Sequence, residues 1–120
     1  GRYDIDPFII KAIIEIESSF NPQAVSPKGA KGLMQLMPCV ENILKVNDVF
    51  DAEENIRAGT KHLKALLCRY ETLERALGFY YAGMYYLKNP RISRAYIDKI
   101  MKKYTQFKKA NQQIILCKNF

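Results

Sequence analysis

The residue with the clearest capacity for chemistry is Glu17, a carboxylate on the oily side of the most apolar stretch in the chain. Residues 6 to 17 read DPFIIKAIIEIE. Asp6 is suited to cap the first free amides and Pro7 to occupy the first helical position, so the spacing predicts a helix here. At about 100° per residue, Ile9, Ile10, Ile13, Ile14 and Ile16 form one apolar arc, and Glu17 falls inside it. Glu15 points the other way, one turn from Lys11, with which it is expected to pair. Burial disfavours the charged form of a carboxyl group, so Glu17 is expected to hold a proton near neutral pH, as a general acid must. A glutamate at a frayed helix end, reaching water or an arginine, would satisfy the same pattern.

Other chemistries are thinly supplied. His62 is the only histidine, which excludes a multi-histidine metal site, and its place beside the stripe of Ile56, Leu63, Leu66, Leu67 and Tyr70 predicts a surface position. Cys39, Cys68 and Cys117 are too few and too scattered for a disulfide scaffold. Buried free thiols are expected, with a Cys68–Cys117 bridge conceivable if the tail folds back in an oxidising compartment. No metal and no cofactor are expected.

The elements that must position Glu17 follow from periodicity. The 120 residues, 48% hydrophobic and 26% charged, suffice for one compact domain, expected over 1–120. No stretch approaches the roughly 20 apolar residues of a membrane span. The start lacks the layout of a signal peptide and an initiator methionine, so the sequence reads as a mature or excised fragment. After the first helix, Asn21 to Lys31 reads as a loop, Gly32 to Met37 as a short helix stopped by Pro38, and Cys39 to Val46 as another. Asp51 and Glu54 have capping-box spacing and open a helix to about Tyr70. Thr72 caps one through Ala82, and a last long helix runs from Arg91 to about Lys109, with Gln112 to Phe120 unassigned. No alternating strand is evident, and the reading is all-α.

The net charge of +7 is unevenly spread. From Lys88 onward nine Lys/Arg face Asp98 alone. Such a segment attracts polyanions, including an anionic wall or membrane surface. No zinc-ligand spacing, phosphate loop or RNA-binding aromatic motif accompanies it, so nucleic acid is not an expected partner.

From Glu17 to Pro38 the chain reads ESSFNPQAVSPKGAKGLMQLMP, followed by DAEENIRAGT from Asp51 and ALGFYYAG from Ala76. These three ordered motifs resemble the lytic transglycosylase catalytic domain, a lysozyme-like family related to goose-type lysozyme. The resemblance covers about residues 5–105 and leaves 106–120 as a basic tail. It implies an all-α lysozyme-like domain with a substrate groove, a monomeric organisation, and a place in the bacterial cell envelope, periplasmic or wall-facing. The implied substrate is the peptidoglycan glycan strand, cut between N-acetylmuramic acid and N-acetylglucosamine to leave a 1,6-anhydro end, with Glu17 as acid and then base. Carried over in the same way, Ser26 would orient the acid or bind sugar, Gln35 would hydrogen-bond saccharide with Met37 packed against it, and Tyr80 would bring its hydroxyl close to Glu17. Ser26 stabilising its own turn, Met37 packing in the core and Tyr80 packing in an aromatic-rich helix are the plainer accounts. Gly32 is expected to permit close backbone approach, and Asn55 to tie helix to loop.

The chain departs from the family at Tyr81, where asparagine is usual, at Ile92, where glutamate is usual, and at Val40, where threonine is usual. Arg94 and Tyr96 are kept. Hydrolysis of the lysozyme type and non-catalytic binding of the wall are the competing functions.

Overall fold

The computed structural model describes residues 4–118. Six helices and one 3-10 turn follow in order: α1 Pro7–Ser18, α2 Pro38–Ile43, α3 Ala52–Tyr70, α4 Leu73–Ala82, α5 Tyr85–Lys88, the turn Pro90–Ser93, and α6 Arg94–Lys118. Among the described residues there is no strand beyond isolated bridges. The all-α expectation is met.

Helix α1 starts as its sequence dictates: Asp6 accepts from the Phe8 amide at 2.9 Å and Pro7 follows it. Its isoleucines at 9, 10, 13 and 14 are buried, and α1 lies along α6. The expected Lys11–Glu15 pairing is replaced by contacts across that interface. Glu15 pairs with Lys103 at 3.2 Å, and the Lys11 ammonium lies 4.3 Å from the Phe107 ring centroid. Helix α6 presents a cation to Glu15 and a ring to Lys11, each within reach across the interface.

Helix α3 spans the expected range and packs on α4, which in turn meets α6. Ile13, Met34, Leu36, Leu63, Leu77 and Ile100 are completely buried between these elements. The Asp51 carboxylate caps α3 by accepting from the Glu54 amide at 2.9 Å, while the Glu54 carboxylate turns back to the Asp48 amide rather than closing a capping box. Thr72 caps α4 as expected.

Three expectations need correction. Gly32 to Met37 is not a helix but a turn closed by the bridge Lys31↔Leu36, next to the bridge Val25↔Lys31. Gly32 at φ 80° and Gln35 at φ 54° are left-handed, which a right-handed helix cannot accommodate. Pro38 then opens α2 instead of stopping a helix, and Lys45 at φ 54° helps end that segment before Val46. At the other end, α6 continues through Gln112 to Lys118, since no glycine or proline interrupts it after Arg94. Its last turns project from the body with Ile114, Ile115 and Leu116 exposed. Lastly, Cys39, Cys68 and Cys117 are unbridged and exposed rather than buried, each on the solvent side of its helix.

Candidate active site

Glu17 lies in the last turn of α1, one residue before its end. Ser19 and Phe20 are both left-handed, with φ of 51° and 63°, so the chain turns sharply away directly after the carboxylate. The Ser18 hydroxyl donates to the Ile14 carbonyl at 3.0 Å and the Ser19 amide to the Glu15 carbonyl, closing the helix. Glu17 is half-buried, and among the described residues it has no hydrogen-bond or ion-pair partner. Desolvation alone pushes its carboxyl from 4.5 up to about 7. It is therefore protonated in a large fraction of molecules at neutral pH.

Two phenols lie within its electrostatic reach. Tyr80, from α4, donates its hydroxyl to the Met34 carbonyl at 2.6 Å. Burial raises the Tyr80 phenol well above its ordinary range, and the charge of Glu17 raises it further. Tyr96, from α6, is 5% exposed and its hydroxyl has no hydrogen-bond partner. Burial again dominates its upward shift, followed by Glu17, Tyr80 and Tyr81. Both phenols stay neutral and do not compete as bases; the Tyr80 proton is already given to Met34, while that of Tyr96 has no acceptor among the described residues. His62 departs from the expected surface position: it is half-buried, with its ring 5.4 Å from that of Tyr80. Desolvation lowers its pKa, so it is neutral at pH 7.

The loop beneath is held by Asn55, a completely buried side chain from α3. Its oxygen accepts from the Met34 amide at 2.8 Å, and its nitrogen donates to the carbonyls of Val49 at 2.8 Å and Lys31 at 3.1 Å. Gly32 packs so closely on this amide that a Cβ would collide with it, so the expected close approach and the expected tie from helix to loop are both present. Met34, held at its amide by Asn55 and at its carbonyl by Tyr80, links α3, α4 and the loop.

The remaining residues singled out from sequence lie on the same loop. Ser26 accepts from the Ala30 amide at 3.0 Å through its Oγ and is thus engaged in its own turn. The Gln35 amide nitrogen donates to the carbonyls of Ala24 at 3.1 Å and Gly32 at 2.9 Å, which leaves its oxygen as the group able to meet a ligand. Met37 is 39% exposed at the start of α2. The structure thus places Tyr80 within electrostatic reach of Glu17 with its hydroxyl on the Met34 carbonyl, and it engages Ser26 and Gln35 with the loop backbone. Tyr96 was missed as a neighbour of Glu17. Its helical phase with Ile97 and Ile100 marks it as buried, but nothing local says what its hydroxyl faces.

At the departures from the family pattern, Tyr81 is exposed and stacks on Tyr96, with ring centroids 4.6 Å apart and planes at 21°. Ile92 is exposed. Arg94 pairs with Glu74, and with Asp98 at 3.5 Å. Among the described residues no group of three or more His, Cys, Asp or Glu could hold a metal ion. The arrangement offers one acid, poised near neutral and flanked by hydroxyl donors.

The family model for the Transglycosylase SLT domain matches residues 1–104. A transglycosylase of Enterobacteria phage PRD1 is 36% identical over 102 residues, covering 85% of this chain and 38% of the relative. Membrane-bound lytic murein transglycosylase F of Desulfosudis oleivorans is 42% identical over 73 residues, covering 61% of this chain and 16% of that protein. The chain thus spans well under half the length of these relatives. Among solved structures, an inactive mutant of lytic transglycosylase Slt from Pseudomonas aeruginosa superposes with a TM-score of 0.73 at 24% identity, over 89% of this chain and 22% of that one. The 70 kDa soluble lytic transglycosylase of Escherichia coli gives a TM-score of 0.62 at 24% identity, over 84% and 19%. These likenesses give the fold, lysozyme-like and all-α, and the family match gives the membership: the chain belongs to the Transglycosylase SLT domain family.

Proposed function

We propose that this chain cleaves the β-1,4 bond between N-acetylmuramic acid and N-acetylglucosamine in peptidoglycan without water, with Glu17 as the only acid and base. The observation that carries this reading is the half-buried carboxyl of Glu17, unpartnered among the described residues and raised to about 7 by desolvation. Protonated Glu17 gives its proton to the glycosidic oxygen as the C1–O bond breaks, and N-acetylglucosamine leaves as the alcohol. The carboxylate then takes the proton from the muramic acid C6 hydroxyl while O6 bonds to C1, which closes the 1,6-anhydro ring and restores the acid. An internal hydroxyl has an effective concentration far above that of an external one, so neither a second carboxylate nor a protein nucleophile is required.

Tyr96, whose hydroxyl has no partner among the described residues, would stabilise the transient carboxylate by donating toward it, while Tyr80 holds the Met34 carbonyl. The Gln35 oxygen and the Ser26 hydroxyl hydrogen remain to meet sugar polar groups, and Met37 supplies an apolar contact at the groove. Relatives named membrane-bound lytic murein transglycosylases support the substrate class and a place in the cell envelope. A solved complex of a 70 kDa soluble lytic transglycosylase with bulgecin A supports a ligand groove in this fold. The nine cations from Lys88 onward would hold the protein to an anionic wall or membrane surface.

The test is digestion of purified peptidoglycan followed by mass spectrometry of the products. The expected result is 1,6-anhydro-muropeptides, abolished by Glu17→Gln in a folded protein. Reducing-end muramic acid as the main product would establish hydrolysis instead. Binding without any released product would establish a wall-binding module.

A further inference from the structure

Tyr81 is the one place where a departure from the family pattern meets the site. It directly follows Tyr80, whose hydroxyl bonds the Met34 carbonyl and whose phenol feels the charge of Glu17. The next residue on a helix points about 100° away, which carries the Tyr81 ring from the loop side toward α6. There it stacks on Tyr96, with centroids 4.6 Å apart and planes within 21° of parallel. Tyr96 is itself fixed in the core at 5% exposure, yet Tyr81 is 50% exposed. One face of the Tyr81 ring is thus backed by a buried ring while the rest meets solvent.

An exposed tyrosine without such backing would lose side-chain freedom on gripping a ligand; this one has already lost it, so a ligand can use the ring face at little entropic cost. A flat, apolar, pre-positioned surface with a polar tip suits a ligand whose rings have apolar C–H faces and polar edges, as pyranose sugars do. The compact amide of asparagine offers no comparable face. The adjacent Tyr96 hydroxyl, buried without a partner among the described residues, is electrostatically linked to Glu17, Tyr80 and Tyr81 and so ties this ring pair to the carboxylate.

We infer that the Tyr81 ring, braced by Tyr96, is a saccharide-stacking subsite that holds one pyranose ring of the glycan strand beside Glu17. The inference rests on the glycan-cleaving reading and adds a binding contact in place of the family's asparagine. Because the ring acts on bound sugar rather than on the proton, it is a specificity-determining residue.

The experiment pairs two readouts on Tyr81→Ala, Tyr81→Leu and Tyr81→Phe. Binding of a tetrasaccharide of alternating N-acetylglucosamine and N-acetylmuramic acid is measured by calorimetry in the Glu17→Gln background, and turnover of peptidoglycan is measured in the active background. Loss of the flat ring, in Ala and in Leu alike, is expected to weaken binding about tenfold and to raise KM with far less change in kcat, whereas Phe restores both. Unchanged thermal midpoints separate this from a repacked core. If the parent protein cleaves and the Ala and Leu variants bind and turn over as it does, the stacking subsite is overturned and the cleavage reading stands. Ring-dependent binding with no product from the parent protein keeps the subsite and overturns cleavage. No binding by the Glu17→Gln parent overturns the subsite.

Discussion

The Tyr80 hydroxyl donates to the Met34 carbonyl at 2.6 Å across 46 residues of chain, and this one bond joins α4 to the loop next to Glu17. Met34 is completely buried, so water cannot substitute for the phenol without rearrangement. Tyr80→Phe leaves that carbonyl without its donor and is expected to cost about 1–2 kcal/mol. The same change removes a hydroxyl from the neighbourhood of the carboxylate. Urea denaturation should report the first effect, and the rate of anhydro-product release should fall by about tenfold or more.

The raised carboxyl of Glu17 predicts a pH dependence with a definite sign. The folded pKa of about 7 lies above the ordinary 4.5, so the folded protein keeps a proton that the unfolded chain releases. That contribution to stability is fully present below 4.5 and is lost as pH rises through about 7. The loss amounts to roughly 3 kcal/mol. Glu17→Gln should abolish this component, making the variant more stable than the parent protein at pH 8 but not at pH 4. Denaturant midpoints at the two pH values check it. In the active protein kcat/KM should decline above pH 7, as the acid form disappears.

How far this site could be read from sequence depends on how local its causes are. Asp6–Pro7, Asp51 with Glu54, and Thr72 announce α1, α3 and α4 because caps act within one turn of the chain. The Glu17 environment was legible for the same reason, since its arc of isoleucines lies within a dozen residues. Gly32 to Met37 misled because its apolar spacing fits a helix, while its actual turn is imposed by Asn55, which takes the Met34 amide from 21 residues away. Tyr96 and His62 came into the site through the packing of α6 and α3 against α4, a relationship that no local pattern encodes.

Asn55 also gives the loop a sharp vulnerability. Asn55→Ala strips three hydrogen bonds from buried backbone groups at Met34, Val49 and Lys31, and is expected to destabilise by about 3 kcal/mol. Gly32→Ala should damage the same junction from the other side, by combining a left-handed φ of 80° with a Cβ driven into the Asn55 amide. Because both changes strike one contact, the double variant should cost less than the two single losses added together. A double-mutant cycle by urea denaturation decides this.

The three thiols give a simple check on the outer surface. Cys39, Cys68 and Cys117 are all exposed and unbridged. Native protein should therefore titrate three thiols with an aromatic disulfide reagent, at rates close to those in denaturant. Fewer than three, or slow classes that appear only on unfolding, would contradict the placement of α2, α3 or the end of α6.

At the opposite end of α1 from Glu17, Asp6 joins three interactions: it accepts from the Phe8 amide, accepts from the Tyr104 hydroxyl at 2.9 Å, and lies 3.8 Å from the Lys108 ammonium. The Phe8 amide is the main reason its carboxyl is held below the ordinary 3.8, with desolvation opposing and Tyr104 and Lys108 assisting. Here the sign is opposite to that of Glu17: the stabilisation is present above the unfolded value and is lost as pH falls through the lowered one. Asp6→Ala is expected to cost about 1 kcal/mol at pH 7, the usual worth of a helix cap, and nearly nothing once the carboxylate is protonated. Asp6→Asn keeps the cap but not the charge, so it should recover most of the loss. If Asn proved as damaging as Ala at pH 7, the ionic contact with Lys108 on α6, rather than the cap, would be what fixes the start of α1, and high salt should then weaken the parent protein toward the variants.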